Sequence, residues 1–133
     1  MPEVVAAKTI DLLSLGGVTE LAVASTTTVY GRSFPLPREA SFSLEIQFDS
    51  AAAVDVKLEL ENGSSRPDTE GAVDTDYVEA DGASDVATGI TTETVHFIPV
   101  SPTVSPFARF RFTGQGANAA STKITRCKLH YIQ

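Results

Sequence analysis

The sequence predicts an all-β chain, an antiparallel β-sandwich, jelly-roll-like, of about seven or eight strands with an extended N-terminal arm. Three observations predict it. Apolar side chains recur at every second position in several separate segments, the period of a half-buried strand. Proline, glycine and Asn/Asp-Gly steps interrupt the chain between those segments. The segments are short and regularly spaced, as in sandwiches and jelly rolls.

Taken in order, Thr9–Leu15 carries Ile10, Leu12 and Leu13 and is compatible with a helix or a strand; it is read here as a strand, ended by Gly16–Gly17. Leu21–Ser25 and Thr26–Tyr30 read as one strand rich in Thr and Val. In Ser41–Phe48, Phe42, Leu44, Ile46 and Phe48 alternate with Ser41, Ser43, Glu45 and Gln47. Val54–Leu60 repeats the pattern, with Val54, Val56, Leu58 and Leu60 opposite Asp55, Lys57 and Glu59. On a helix these residues would spread around the cylinder and leave no apolar face. The short linker Asp49–Ala53 predicts that the two runs form a hairpin.

Glu93–Ile98 places Val95 and Phe97 on one side and Thr94, His96 and Ile98 on the other. Ala108, Phe110 and Phe112 alternate with Arg109, Arg111 and Thr113. Ile124–Ile132 sets Cys127, Leu129 and Tyr131 against Arg126, Lys128 and His130. Pro35, Pro37, Pro99, Pro102 and Pro106 belong at corners and edges, because proline cannot donate to a ladder. Asn62–Gly63 and Asp81–Gly82 read as turns, and residues 114–120 as a small-residue loop. Residues 61–90 form the one long irregular excursion, a feature often tied to function.

A length of 133 residues suits one domain, so residues 1–133 are read as a single sandwich, with 1–8 as the arm and 61–90 as a long acidic loop region. The net charge of −7 opposes nucleic-acid binding by phosphate neutralisation. No apolar run approaches the roughly 20 residues of a membrane span, so no membrane partner is expected. Met1–Ile10 lacks the pattern of a signal peptide, and the lone Cys127 cannot form an internal disulfide; a cytoplasmic origin is expected. The charge is also segregated. Residues 61–85 hold eight acids and the single base Arg66, whereas residues 107–133 hold five bases and no acid. Such a chain can attract copies of itself or a neighbour of opposite sign.

Few residues suggest chemistry. His96 and His130 fall on polar strand faces without metal-ligand spacing. Cys127 faces inward as a core residue, and no serine lies in a nucleophile elbow. No enzyme activity and no cofactor are expected. Asp74, Asp76, Glu79 and Asp81 are weak calcium candidates, since alternate carboxylates supply hard-cation ligands. The EF-hand pattern is nevertheless missed, with Glu79 where it needs glycine and Asp85 where it needs glutamate.

The runs Ser25–Tyr30 (STTTVY), Phe34–Pro37 (FPLP), Ala40–Gln47 (ASFSLEIQ) and Val54–Glu61 (VDVKLELE) resemble small bacteriophage virion structural proteins. So do the acidic loop around Asp74, Asp76, Tyr77 and Val78 and the closing segments Pro106–Thr113 and Thr122–Ile132. The likeness spans about residues 20–133 and is one of pattern, so no ligand or catalytic residue carries over. It implies a β-sandwich virion component assembled in the host cytoplasm. The first expectation is a capsid decoration (cement) protein that binds the major capsid protein and copies of itself, as a trimer. Contacts are expected from the arm (Met1, Pro2, Glu3, Val4, Val5, Lys8), the loop (Asp74, Asp76, Tyr77) and the bases Arg109 and Arg111. A tail, neck or fibre component is the second expectation. A carbohydrate- or calcium-binding sandwich module is the third, with Tyr30, Tyr77 and Tyr131 as the available sugar platform.

Overall fold

The structure, a computed structural model, describes residues 6–38, 40–83 and 85–133. The expected contacts Met1, Pro2, Glu3, Val4 and Val5 lie outside the described residues. The elements are β1 (Lys8–Asp11), α1 (Leu12–Leu15), β2 (Leu21–Ala22), β3 (Thr28–Tyr30), β4 (Phe34–Pro35), β5 (Ser41–Asp49), β6 (Val56–Gly63), β7 (Ala87–Ile90), β8 (His96–Val100), β9 (Phe107–Gly114) and β10 (Lys123–Ile132).

They form two antiparallel sheets of five strands each. The first runs β1-β10-β5-β8, with β2 on the far end of β10; the second runs β3-β9-β6-β7, with β4 on β9. The period-two faces decide what lies inside. Phe42, Leu44, Ile46 and Phe48 of β5 and Ile124, Cys127 and Leu129 of β10 line the interior of the first sheet. Val56 and Leu58 of β6 and Ala108, Phe110 and Phe112 of β9 line the second. In β10 a bulge between Ile124 and Arg126 inserts one residue, which lets Ile124 and Cys127 both turn inward.

Several expectations are corrected. Ser41–Phe48 and Val54–Leu60 do not form a hairpin: β5 pairs with β10 and β8, and β6 pairs with β9 and β7. Alternation shows which face of a strand is greasy but not which strand lies beside it. The short linker therefore joins one sheet to the other. The Leu21–Tyr30 strand is split into β2 and β3, which belong to different sheets. Between them Thr26 takes a left-handed φ of 56°, and the Thr27 N–H and hydroxyl both donate to the Ala24 carbonyl.

Thr9–Leu15 is strand only to Asp11, whose carboxylate then caps a single helical turn by accepting the Ser14 N–H. Asn62–Gly63 is not a turn but the end of β6, whereas Asp81–Gly82 is a turn with Gly82 at φ +72°. In β8 it is Val100 that is buried and Phe97 that is 64% exposed, so the greasy-looking Val95/Phe97 face points outward. Proline does sit at edges, with Pro99 in β8 and Pro35 in β4. No helix is long and apolar enough to cross a membrane among the described residues.

Candidate functional site

The second sheet has an unusual outer face. Register places Glu59 directly opposite Arg111 and Glu61 opposite Arg109 across β6 and β9. Opposite charges facing each other on adjacent strands form the sheet's natural ion pairs. Arg109 Nε donates to Glu61 Oε1 at 2.8 Å, and Arg109 Nη1 donates to the Ala72 carbonyl at 2.8 Å. Arg111 reaches Glu59, Glu61 (3.1 Å) and Glu79 (3.2 Å).

The long loop supplies Ala72 and Glu79, so it lies folded back over this face. Tyr77 anchors it. Its hydroxyl donates to the Ser65 carbonyl at 2.6 Å, and its ring lies where a Cβ on Gly63 would stand only 2.5 Å away. Glycine is required there because the ring occupies the space of a side chain. Burial raises the Tyr77 hydroxyl above its usual pKa. The Arg109 guanidinium sits between two aromatic faces, 4.0 Å from the Tyr30 centroid and 4.8 Å from that of Tyr77. Arg109 Nη2 is buried with no hydrogen-bond partner among the described residues, and the guanidinium gains the π-electron density of the two rings instead.

Two further ties hold the loop. Glu70 accepts the Ser33 N–H and hydroxyl and lies 3.1 Å from Arg32, and the Asn62 and Val78 backbones bond to each other in both directions.

Half of the eight acids of the acidic region are therefore paired inside the molecule. Glu61, Glu70, Glu79 and Asp85 of the acidic region meet Arg109, Arg32 and Arg66, Arg111, and Lys57 respectively. Arg109 is 0% exposed, which corrects its expected place on a partner-facing surface. Tyr77 is likewise buried, and Arg111 is half-buried in its ion pairs. Lys8 opens β1 opposite Tyr131, at the exposed surface.

The calcium candidates do not converge. Asp74 is occupied in its own loop, accepting the N–H of Asp68 and of Asp76, while Asp76 and Asp81 are exposed. Among the described residues the carboxylates that come together are Glu59, Glu79 and Asp85, with oxygens within 4.8 Å of one another. They have the chemistry of a hard-cation site, but Arg111 and Lys57 already supply positive charge to them. The hydrogen bond to Glu59, then burial, pushes Glu79 up to about 7. Burial acts to raise Glu59 too, but hydrogen bonds from Glu79 and Arg111 outweigh it and hold that carboxyl below the ordinary range.

A second constellation, missed in the sequence, spans the outer face of the first sheet. His130 bonds through Nδ1 to Thr9 Oγ1 and through Nε2 to Glu45 Oε1, each at 2.7 Å, and Arg126 donates to Glu45 Oε2 at 2.8 Å. Phe97 stacks on the His130 ring with centroids 6.1 Å apart. Register explains the convergence: Glu45 lies opposite Lys128, so Arg126 and His130 are its diagonal neighbours. The His130 and then the Arg126 hydrogen bond hold Glu45 below the ordinary carboxylate range.

A lowered folded-state pKa contributes stability that is present above the unfolded value and is lost as pH falls. Glu45→Gln therefore flattens the acid limb of stability below about pH 4.5. Urea melts at pH 3 and 6 check this, the wild type losing more than the variant.

Cys127 is a buried core residue as expected, and burial pushes its thiol up to about 12, so it is no nucleophile at neutral pH. Compared with known proteins, the chain matches no family model and no curated protein.

Proposed function

We propose that this protein is a virion structural protein, a capsid decoration protein that binds the outer shell and stabilises it by protein–protein contacts. The observation that carries this reading is the strand order. Setting aside the two-residue strands β2 and β4, eight strands divide between two four-stranded sheets ordered 1-10-5-8 and 3-9-6-7. That order supports a jelly roll, the architecture of many viral capsid domains. The likeness of pattern to phage virion proteins supports the same reading.

In this reading the sandwich is a rigid block whose outer-loop surface and N-terminal arm make the contacts. Asp76 and the exposed Val73 and Val78 of the long loop face the partner, in place of the buried Arg109 and Tyr77. Copies of the chain assemble as a trimer on the shell. The test is stoichiometry in purified particles of the phage that encodes the chain. Decoration predicts hundreds of copies, near parity with the shell protein; about a dozen copies would place the protein in the neck or tail instead. Its absence from particles contradicts both.

A second reading has its own observation. Jelly rolls also occur in lectins, and Phe97 is an exposed aromatic ring beside Glu45, Arg126 and Thr9, the mixture of apolar face and hydrogen-bonding groups that a sugar needs. The tyrosines are not that platform: Tyr30 and Tyr77 clasp Arg109, and Tyr131 packs on Phe42. NMR titration with neutral oligosaccharides to about 10 mM tests it, since millimolar affinity is near −4 kcal/mol. Shifts at Phe97 and His130 that vanish in Phe97→Ala support it, and none at all dismisses it.

A further inference from the structure

The carboxyl cluster at the end of the long loop holds one charge too many. Glu59 and Glu61 from β6 and Glu79 and Asp85 from the loop meet three cations, Lys57 from β6 and Arg109 and Arg111 from β9. Fully ionised, four carboxylates against three cations leave a net negative charge; one retained proton brings the group to neutrality. Glu59 and Glu79 also converge on the same atom, Arg111 Nη2, and their oxygens lie within 4.8 Å of each other. The neighbouring strand β7, Ala87–Ile90, brings no charged side chain. Two carboxylates this close cannot both ionise without penalty.

We propose that the Glu59–Glu79 carboxyl pair is a proton-dependent latch, which clamps the end of the long loop onto the second sheet while it shares a proton and loosens it when that proton leaves. The device goes beyond the virion reading and does not depend on it. Its position gives the motion a consequence. Glu79 follows Val78, the residue bonded in both directions to Asn62, so loss of the latch weakens that bridge. A cleft of about 430 Å³ separates Glu79, Asp81 and Asp85 on the loop from Pro99 in β8 and Thr103 just after it, and release of the loop widens it.

The direction of the pH effect follows from the two partners. Glu79 is raised to about 7, so its contribution is full below about 4.5 and is lost as pH rises through 7. Glu59 is lowered, so its own opposing effect falls below 4.5 and does not mask the window between. A shift of this size could weight closing by a few hundredfold, but Glu79 is about a third exposed, and solvent screening reduces the expectation to about tenfold.

Amide hydrogen exchange at Val78, corrected for intrinsic rates, reads the latch. Wild-type protection falls about tenfold from pH 5 to pH 8, whereas Glu79→Gln, which cannot ionise, stays within about twofold. Equal protection in the wild type at both pH values, or an identical fall in Glu79→Gln, overturns the proposal. Carboxyl carbon NMR of the wild type gives an independent reading: a Glu79 midpoint near 7 supports the latch, and one below 5 contradicts it.

Discussion

Arg109→Ala lowers the unfolding free energy by about 3–5 kcal/mol, the usual cost of breaking a buried ion pair from one side. The loss arises less from the missing attraction than from what remains. Glu61 is only 4% exposed and would keep a charge without its nearest cation. The Ala72 carbonyl would lose its donor, and Tyr30 and Tyr77 would lose the cation between their rings. The long loop is held partly by these same contacts, so it should become sensitive to protease in the variant before the sandwich melts. Urea denaturation gives the free energy, and limited proteolysis locates the lesion. The double variant Arg109→Leu/Glu61→Leu should cost less than Arg109→Ala alone, because removing both partners leaves neither charge of the pair buried without the other. A double variant at least as damaged as the single one would show that the ion pair is not the source of the loss.

Gly114→Ala is expected to cost about 3 kcal/mol, at the upper end for overpacking, for a reason that burial alone does not reveal. A Cβ on Gly114 would lie 2.2 Å from the Ala24 carbonyl oxygen and 2.9 Å from Asn118 Nδ2. The carbonyl is backbone and cannot swing aside. It belongs to the left-handed turn at Thr26, where the chain passes from one sheet to the other, and it already accepts from Thr27. Asn118 is fixed as well, bonding to the Val23 carbonyl and to the Asp55 N–H. Three chain segments therefore converge at one missing side chain. Thermal melts compare the variant with Gly116→Ala, where nothing lies within 4 Å and stability should barely change. Equal melting temperatures in the two variants would refute the close approach.

These two sites also show what was legible in the sequence. Strand identity was readable because a period of two has no helical counterpart, and β5, β9 and β10 lie where the alternation of Leu44, Phe110 and Leu129 puts them. Strand neighbours were not readable from hydrophobicity. A cue did exist in the charges: Glu59-Leu60-Glu61 and Arg109-Phe110-Arg111 have matching spacing, and an antiparallel pairing sets each acid against a base. The same cue marks Glu45 against Arg126 and His130.

Arg109 and Arg111 pair with Glu59, Glu61 and Glu79 within the chain, a use of opposite charge that composition alone does not distinguish from a surface for another molecule. Asn62–Gly63 has the composition of a turn, but the role of Gly63, clearing space for the Tyr77 ring, depends on a residue fourteen positions away. Thr9, Glu45 and His130 come from three strands, and only the register joins them.

The folded-back loop is most directly tested by proton NMR of Gly63 and Tyr77. Strong nuclear Overhauser effects are expected between the Gly63 α protons and the Tyr77 ring, with the α protons displaced by the ring current. A Tyr77 ring with random-coil shifts and no cross-peak to Gly63 would mean that the loop stands away from the sheet, and the ion-pair face would lose its cover.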